Sequence, residues 1–336
     1  MKAVGYYKSL PIDDAQSLVD LDLPEPKPGA RDLLVRVRAI SVNPVDTKVR
    51  KNAAPPEGEA KVIGWDVAGT VEAVGAEVRG FKAGDRVYYS GSIVRPGANS
   101  ELHVVDARIA SLAPATLNDA QAAALPLTTI TAYELLFDRL KVAKGGGAGQ
   151  SLLVVGGAGG VGSILIQLAR QLTQLKVIAT ASRPETRQWC LDLGAHAVID
   201  HSKPLAAELT AAGLGQVDMV ASLTQTAHHY LQIIESLKPQ GQIALIDDMR
   251  SLDAMPLKVK CLSLHWEMMF ARSRFETPDI QSQGALLAEV AGLVDAGKVR
   301  TTLNQTFGTI NAANLKRAHA LIESGKAQGK VVLEGF

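Results

Sequence analysis

The spacing of hydrophobic residues changes about a third of the way along the chain. Before residue 127, short stretches alternate between apolar and polar positions. In residues 32–43, Val35, Val37 and Ala39 lie on one face while Arg36 and Arg38 lie on the other. This period of two is typical of half-buried strands, and Gly, Pro and Asp residues separate the stretches as they do in turns. The first part of the chain is therefore predicted to be β-rich.

After residue 127, apolar strands alternate with helical segments. Strands are predicted at 152–155, 177–180, 197–199, 218–221, 242–246 and 262–266, and helices at 163–172, 186–193 and 228–237. This alternation predicts a parallel sheet with right-handed crossovers. Two more helices are predicted after residue 270, the second near 311–324, and the chain ends in the strand-like GKVVLEGF. Because a lone strand must pair, we expect the last one to join the β-rich N-terminal region.

Composition narrows the classes of function. A chain of 336 residues is longer than a domain with a single hydrophobic core usually is, so two domains are predicted. A content of 47% hydrophobic and 21% charged residues is typical of a soluble globular protein. With 35 basic against 34 acidic residues and 4% aromatic residues, it lacks the basic face and stacking surfaces of a nucleic-acid-binding protein. Cys190 and Cys261 have no metal or redox spacing. The chain shows neither a signal peptide nor a membrane span, so we expect a cytoplasmic protein with no membrane partner.

A glycine cluster follows the first strand of the second region. It fits the pattern G-x-G-x-x-G and reads Gly157, Ala158, Gly159, Gly160, Val161, Gly162. In this pattern the glycines permit a tight turn, close approach of the backbone to a pyrophosphate, and close helix–strand packing. The amides at the start of the following helix would then face the anion. We therefore predict a dinucleotide site, with an ordinary strand–helix turn as the alternative.

The next strand distinguishes between two nicotinamide cofactors. An NAD site usually ends this strand with an acidic residue that binds the ribose 2′-hydroxyl. Here the first acidic residue after the glycines is Glu185, while Ser182, Arg183 and Arg187 stand where a 2′-phosphate would lie. A hydroxyl and guanidinium groups bind a phosphate that a carboxylate would repel. We predict NADPH, the alternative being that the arginines are solvated residues at a helix start.

Together these motifs resemble the medium-chain dehydrogenase/reductase superfamily. In order they are SVNPVDTKVR, GWDVAGTVEAVG, FKAGDRV, LPLTTITAYELL, GGAGGVG and GKVVLEGF, over essentially the full chain. The resemblance is to its zinc-free quinone oxidoreductase branch, which includes proteins called zinc-type alcohol dehydrogenase-like. It implies a GroES-like β-rich catalytic domain at 1–127, a Rossmann NADPH-binding domain with a doubly wound parallel sheet at 128–271, and a return to the first domain at 272–336. It also implies an active site in the cleft between domains, and a homodimer.

The motifs lack the zinc ligands of the zinc-dependent members. The segment that carries a catalytic Cys in those members contains Asn43 and Asp46, and their Gly-His-Glu motif reads Gly64, Trp65, Asp66. Zinc is bound by Cys, His and carboxylate side chains, and Asp46 and Asp66 could ligate it in principle. Because neither a thiolate nor an imidazole is present at these positions, we expect no metal site. Without a Lewis acid to polarise an alcohol, the favoured hydride acceptors are already electrophilic. Quinones and α,β-unsaturated carbonyls are therefore the predicted substrates.

The resemblance also suggests individual contacts. Asn43 is a candidate donor to a substrate carbonyl and Asp46 a candidate orienting group, although Asn-Pro-x-Asp is also a common turn composition. Tyr88 and His265 are further candidates for the substrate site, although the strand around His265 is more typical of a buried edge or an interface. Additional cofactor contacts are predicted at Thr128, Thr131, Ser222, Leu223, Thr224 and Lys330. Their alternatives are helix capping for the threonines, loop content after the strand, and a solvated lysine.

Two other functions stay open at this stage. One is an alcohol dehydrogenase, against which the missing ligands argue. The other is a protein that binds NADPH as a structural or sensing module with little turnover. The sequence does not exclude it, because such a protein would have the same binding motifs.

Overall fold

The computed structural model describes all 336 residues and contains two compact units. The first unit combines Met1–Ile130 with Phe270–Phe336, and the second is Thr131–Met269. The first is built on antiparallel and mixed β-sheets, and the second on a parallel sheet flanked by helices. The predicted fold class is therefore confirmed.

The elements are numbered along the whole chain. The strands are β1 (Lys2–Tyr6), β2 (Val19–Asp22), β3 (Asp32–Val42), β4 (Lys61–Val62), β5 (Asp66–Val74), β6 (Arg86–Ser90), β7 (Leu102–Asp106), β8 (Ala110–Leu112), β9 (Ser151–Val155), β10 (Lys176–Thr180), β11 (Ala197–Ile199), β12 (Val217–Ser222), β13 (Leu237–Leu245), β14 (Ser263–Trp266), β15 (Leu303–Thr306) and β16 (Lys330–Glu334). The helices are α1 (Pro44–Asn52), α2 (Asp119–Ala123), α3 (Pro126–Tyr133), α4 (Gly160–Leu172), α5 (Pro184–Asp192), α6 (Leu205–Ala211), α7 (Thr226–Ser236), α8 (Met255–Lys258), α9 (Ala271–Phe275), α10 (Ser282–Asp295) and α11 (Ala312–Glu323).

The central strand of the first unit is β3. Val35, Val37 and Ala39 are buried while Arg38 is exposed, as the alternating pattern predicts. The strand belongs to a seven-stranded sheet of order β15-β16-β3-β5-β6-β8, with β7 also pairing with β3, and a smaller sheet has the order β2-β1-β4. The last strand, β16, pairs antiparallel with β3, with Val332 opposite Ser41. The predicted return of the C-terminal strand to the N-terminal region is confirmed.

The second unit is a six-stranded parallel sheet of order β11-β10-β9-β12-β13-β14. The order reverses between β9 and β12, and this is where open α/β sheets bind their ligands, at the carboxyl ends of the strands. Apolar residues of β9, β12 and β13 pack against α6 and α7 in one core, in which Leu153, Val220 and Ile233 are completely buried. The core therefore fixes the strand ends on which the candidate cofactor site lies.

Helix starts differ from the sequence expectation. The helices α4, α5 and α7 begin at Gly160, Pro184 and Thr226, each a few residues earlier than predicted. Proline suits the first turn of a helix, and the Thr226 N–H donates to Asp247 Oδ2 at 2.9 Å, a partner that only the folded chain supplies. The helical segment after residue 126 divides into α3 and a π-helical turn at Glu134–Arg139. No helix is long and apolar enough to cross a membrane.

Candidate active site and cofactor site

Four polar residues lie together inside the first unit, and we call Asn43, Asp46, Asp66 and Lys330 the buried polar cluster. Asn43 follows β3, Asp66 opens β5 and Lys330 opens β16, so the pairing of β3 with both other strands brings them together. Their exposed fractions do not exceed 3%. Buried charges are stable only when they are paired and hydrogen-bonded.

Hydrogen bonds within the cluster and to nearby backbone carbonyls use every donor proton of Asn43 and Lys330. The Lys330 ammonium donates to the side-chain oxygen of Asn43, to Asp66 Oδ2 at 3.0 Å and to the Val42 carbonyl at 3.2 Å. Asn43 Nδ2 donates to Asp66 Oδ2 at 2.8 Å and to the Ser41 carbonyl at 3.3 Å. These contacts use the three ammonium protons and both amide protons.

This saturation changes two of the predicted roles. Lys330 has no proton left to donate to a cofactor phosphate, so the structure does not support that contact. The Asn43 amide can reach a substrate carbonyl only by giving up a bond to Asp66 or to the backbone. Both residues instead hold the ends of β3, β5 and β16 together.

Asp46 occupies the first turn of α1. Its Oδ2 accepts the Asn43 N–H at 2.6 Å, while its Oδ1 is buried and has no hydrogen-bond partner. Burial raises the pKa of Asp46 to about 7, with the nearby Asp66 adding to the rise and the Asn43 N–H and Lys330 opposing it. The carboxyl group therefore titrates near neutral pH, and it closes the start of the helix as a capping group does.

Tyr88 and Thr128 have internal partners. The Tyr88 hydroxyl, completely buried on β6, donates to the Leu287 carbonyl in α10 at 2.6 Å. Burial raises its pKa far above the usual range. This bond ties two elements of the first unit together, so the structure does not support Tyr88 as a substrate contact. Thr128 Oγ1 donates to the Leu125 carbonyl, and Thr131 is likewise buried, so neither side chain faces solvent.

The glycine loop of the second unit has the geometry of an anion cradle. Gly156, just before the predicted pattern, makes the sharp turn with a φ of +86°. A Cβ at Gly162 would lie 2.4 Å from the Gly156 carbonyl oxygen, so only glycine fits there. A Cβ at Gly159 would touch only that same oxygen, at 3.5 Å, and no side chain caps the start of α4. The free helix end and the open backbone fit a pyrophosphate.

The residues after β10 are only partly available for a phosphate. Ser182 is exposed at this strand end. Arg183 is half-exposed and pairs with the exposed Glu185 at 3.2 Å. Arg187 instead donates to the Val198 carbonyl at 2.9 Å, which engages its guanidinium within the unit.

The residues after β12 lie beside the glycine loop. The Leu223 N–H donates to the Val155 carbonyl at 3.1 Å, and Thr224 Cγ2 lies 2.8 Å from the position of a Cβ on Gly156. Ser222 shares a hydrogen bond of 2.8 Å with Thr226 at the start of α7. The fold thus brings these residues and the glycine loop together at the carboxyl ends of β9 and β12.

His265 lies on an outermost strand of the sheet. It is half-buried on β14, the last strand, and its Nε2 has no hydrogen-bond partner. Burial lowers its pKa, and Lys141 and Arg139 lower it further. The neighbouring Trp266 and Met268 are 50% and 45% exposed, which is unusual for large apolar side chains on a sheet edge.

Sequence reasoning did not single out Thr180 and His201. Thr180 ends β10, and its Oγ1 accepts the Gly156 N–H at 3.0 Å. His201 Nδ1 lies 3.0 Å from the same oxygen, so a histidine after β11 is connected to the glycine loop. The signal in the sequence that could have indicated His201 is its position two residues beyond a predicted strand of the parallel sheet.

Two family models match the chain. An alcohol dehydrogenase GroES-like domain matches residues 29–113, and a zinc-binding dehydrogenase domain matches residues 193–333. A zinc-type alcohol dehydrogenase-like protein of Staphylococcus epidermidis is 36% identical, with 99% of each chain covered. The chain belongs to the medium-chain dehydrogenase/reductase superfamily. It is therefore an oxidoreductase with the fold that binds a nicotinamide cofactor.

Two solved structures show what this member of the superfamily resembles in detail. One, from Rhizobium etli CFN 42 and described provisionally as a zinc-dependent alcohol dehydrogenase, is 57% identical with a TM-score of 0.97, covering 100% of this chain and 98% of that one. The other is an Escherichia coli quinone oxidoreductase complexed with NADPH, 26% identical with a TM-score of 0.83, covering 99% and 100%. Only one of these two descriptions mentions zinc, so the donor atoms of this chain decide whether a zinc ion fits.

The side chains at the zinc-ligand positions do not fit zinc. Trp65, in place of a ligand histidine, is buried with its ring against Phe270 and its Nε1 donating to the Ser92 carbonyl at 3.1 Å. The nearby Asp66 already forms an ion pair with the Lys330 ammonium, which would repel a divalent cation. No group of three or more His, Cys, Asp and Glu side chains is arranged to hold a metal ion.

Proposed function

We propose that this oxidoreductase uses NADPH to reduce quinones or α,β-unsaturated carbonyls, and that it does so without a metal. The observation that carries the proposal is the buried polar cluster, in which Asn43, Asp66 and Lys330 occupy the region of the zinc ligands in other members. A site without a Lewis acid favours an acceptor whose conjugation already disperses the incoming negative charge.

The cofactor assignment rests on the second unit. The first turn of α4 would hold the pyrophosphate, Ser182 and Arg183 the 2′-phosphate, and residues 222–224 the nicotinamide ribose. Bound NADPH supplies the hydride, and the chain supplies binding and orientation. The absence of an acidic residue at the end of β10, before Glu185, and the similarity to the NADPH complex of the Escherichia coli enzyme support NADPH over NADH.

The cluster residues act as positioning groups in this proposal. They hold the ends of β3, β5 and β16 in one arrangement. Asn43 and Lys330 have no donor proton left, and the Asp46 carboxyl is buried, so the cluster presents no strong proton donor at the surface. We therefore assign protonation of the reduced substrate to water. We also propose a homodimer, which the exposed Trp266 and Met268 beside the edge strand β14 support.

The test is a comparison of acceptors with the purified protein. Oxidation of NADPH is followed with a benzoquinone, an enone and the matched saturated ketone, and all are repeated with NADH. We expect turnover with the quinone or the enone and none above background with the saturated ketone. With NADH, kcat/KM should fall about tenfold or more, because a lost hydrogen bond to a charged group costs on the order of 1.5–3 kcal/mol.

Two results would contradict the proposal. Oxidation of a saturated alcohol with NADP⁺, in the absence of quinone or enone reduction, would indicate an alcohol dehydrogenase. Tight binding of NADPH without consumption by any acceptor would indicate a structural or sensing protein.

A further inference from the structure

Two glutamates of the second unit are buried side by side. Glu134 opens the π-helical turn, and Glu267 directly follows β14. Both side chains are completely shielded from solvent, and their carboxyl groups are within hydrogen-bonding reach of each other. Glu267 Oε1 is buried and receives no hydrogen bond from a donor of the chain. Because an ionised carboxylate only accepts hydrogen bonds, the two groups can be bonded to each other only if one of them carries a proton.

Arg139 contacts both carboxyl groups. Its Nε donates to Glu267 Oε2 at 2.7 Å, and its guanidinium lies 3.9 Å from Glu134 Oε2. One guanidinium balances one carboxylate, so the group of three is neutral only when the second carboxyl group is protonated. Burial, together with the charge and the hydrogen bond of Glu134, raises the pKa of Glu267 to about 8, while Arg139 opposes the rise. The expected state at neutral pH is one proton for two carboxyl groups.

The other charged groups on the surrounding elements do not replace this proton. Lys141 and Lys144 are exposed, and Lys238 of β13 pairs with Asp218. Burial lowers the pKa of His265 on β14, so this ring is neutral in the pH range where Glu267 titrates. The remaining group is the half-buried Asp138 in the π-helical turn.

The pair lies where the chain enters and leaves the second unit. This unit consists of Thr131–Met269, so Glu134 is its fourth residue and Glu267 the third from its end. The bond between the two side chains therefore joins the first and last segments of the unit. The first segment is also where α3 gives way to the π-helical turn, a form of helix that is often found at functional sites.

Both segments continue into the candidate active site of the first unit. The Leu127 N–H, in the first turn of α3, donates to Asp66 Oδ1 of the buried polar cluster at 2.6 Å. Phe270, three residues after Glu267, has its ring against that of Trp65. Hydride transfer is sensitive to displacements of about 1 Å, so a shift of either segment would change its rate.

We propose that Glu134 and Glu267 are positioning residues for hydride transfer, which act by holding one proton between them, and that turnover falls reversibly when this proton is lost in alkaline solution. The inference rests on the proposed reduction of enones or quinones. Loss of the proton to water leaves two buried carboxylates beside one guanidinium, and their repulsion separates the two segments. No bond of the substrate or the cofactor changes in this step.

The test measures kcat for NADPH-dependent reduction of the enone from about pH 6.5 to about pH 9.5. In the unmodified protein kcat should fall about tenfold between about pH 7 and pH 9, and it should recover when the protein is returned to pH 7. In Glu267→Gln this fall should disappear, because the amide supplies a proton that does not titrate and leaves Glu134 paired with Arg139. The Kd of NADPH should change by less than about twofold over the same range, which separates positioning from binding.

Three further measurements distinguish the proposed role from a merely structural one. Glu134→Gln should abolish the same fall, because either carboxyl group can carry the proton. Arg139→Met removes the opposing cation, so the proton is held more tightly and the fall should move to higher pH. Infrared difference spectra between the unmodified protein and Glu267→Gln, recorded without NADPH at pH 7, should show the band of a protonated carboxyl group. That band should be lost at about pH 9.5.

The matched control is Glu72→Gln, a glutamate that pairs with Arg36 on the first unit. It should retain the fall in kcat. If Glu267→Gln and Glu134→Gln retain it as well while the enone is reduced, the inference is wrong and the proposed function stands. Absence of the protonated-carboxyl band would also overturn the inference alone. If no acceptor is reduced at any pH, both the inference and the proposed function are wrong.

Discussion

Lys330 connects three parts of the first unit through a single ammonium group. Its contacts reach Asn43 at the end of β3 and Asp66 at the start of β5, while its own backbone begins β16. Sequence reasoning placed Lys330 and Asn43 near the reacting groups but not against each other. The two residues are 287 positions apart, and only the pairing of β16 with β3 joins them. The chemistry of each residue was visible in the sequence, whereas its partner was not.

Replacing Lys330 should therefore destabilise the first unit strongly. Lys330→Met removes the ammonium and leaves the Asp66 carboxylate buried without its charge partner, at an expected cost of about 3–5 kcal/mol. Adding Asp66→Asn should recover part of the loss, because the uncompensated charge is removed. Urea unfolding followed by Trp65 fluorescence, with Trp189 and Trp266 replaced by Phe, reports on this unit.

The control for this prediction is an exposed lysine that also pairs with an aspartate. The Lys82 side chain is 83% exposed and lies 2.6 Å from Asp85. Lys82→Met should change the free energy of unfolding by less than about 1 kcal/mol. Equal effects of the two lysine substitutions would show that the buried polar cluster does not stabilise the unit.

At the scale of elements, the parallel strands were predictable because each is a short apolar run between turn residues. Helix starts were less predictable, since partners such as Asp247 for Thr226 come from elsewhere in the fold. The π-helical turn at Glu134–Arg139 has no signature in a pattern read at the α-helical period. The glycine loop was recognised from its motif, yet the turn glycine proved to be Gly156.

The glycine loop gives a prediction at this scale. Gly162→Ala places a Cβ 2.4 Å from the Gly156 carbonyl oxygen and 2.6 Å from that of Gly157. Because both are backbone atoms, the loop must shift, and overpacking of this kind costs about 1–3 kcal/mol. The Kd of NADPH should rise at least about tenfold if that cost falls on the bound conformation. Fluorescence titration with NADPH measures it.

A glycine with free space provides the comparison. In α10, a Cβ at Gly292 would meet no atom within 4 Å. Gly292→Ala should stabilise the protein by about 0.4–1 kcal/mol and leave the Kd of NADPH unchanged. An unaltered Kd in Gly162→Ala would remove the glycine loop from the cofactor site.

At the scale of the whole molecule, the change of pattern near residue 127 predicted two kinds of fold in one chain, and the structure contains both. The long-range contacts within the first unit were not predictable. Tyr88, a candidate substrate contact in the sequence, donates to the Leu287 carbonyl 199 positions away. A sequence shows which residues are suited to chemistry, but burial and partners decide whether they remain free for it.

The most direct test of the account is the zinc content of the active enzyme. The protein would be treated with a chelator, which is then removed by gel filtration. One portion would be used for elemental analysis and the other for the NADPH-dependent quinone or enone assay. We predict undiminished turnover with zinc far below one atom per chain, because a tryptophan and a lysine-paired aspartate occupy the ligand region. Turnover that disappears with the zinc and returns when one zinc per chain is restored would contradict it.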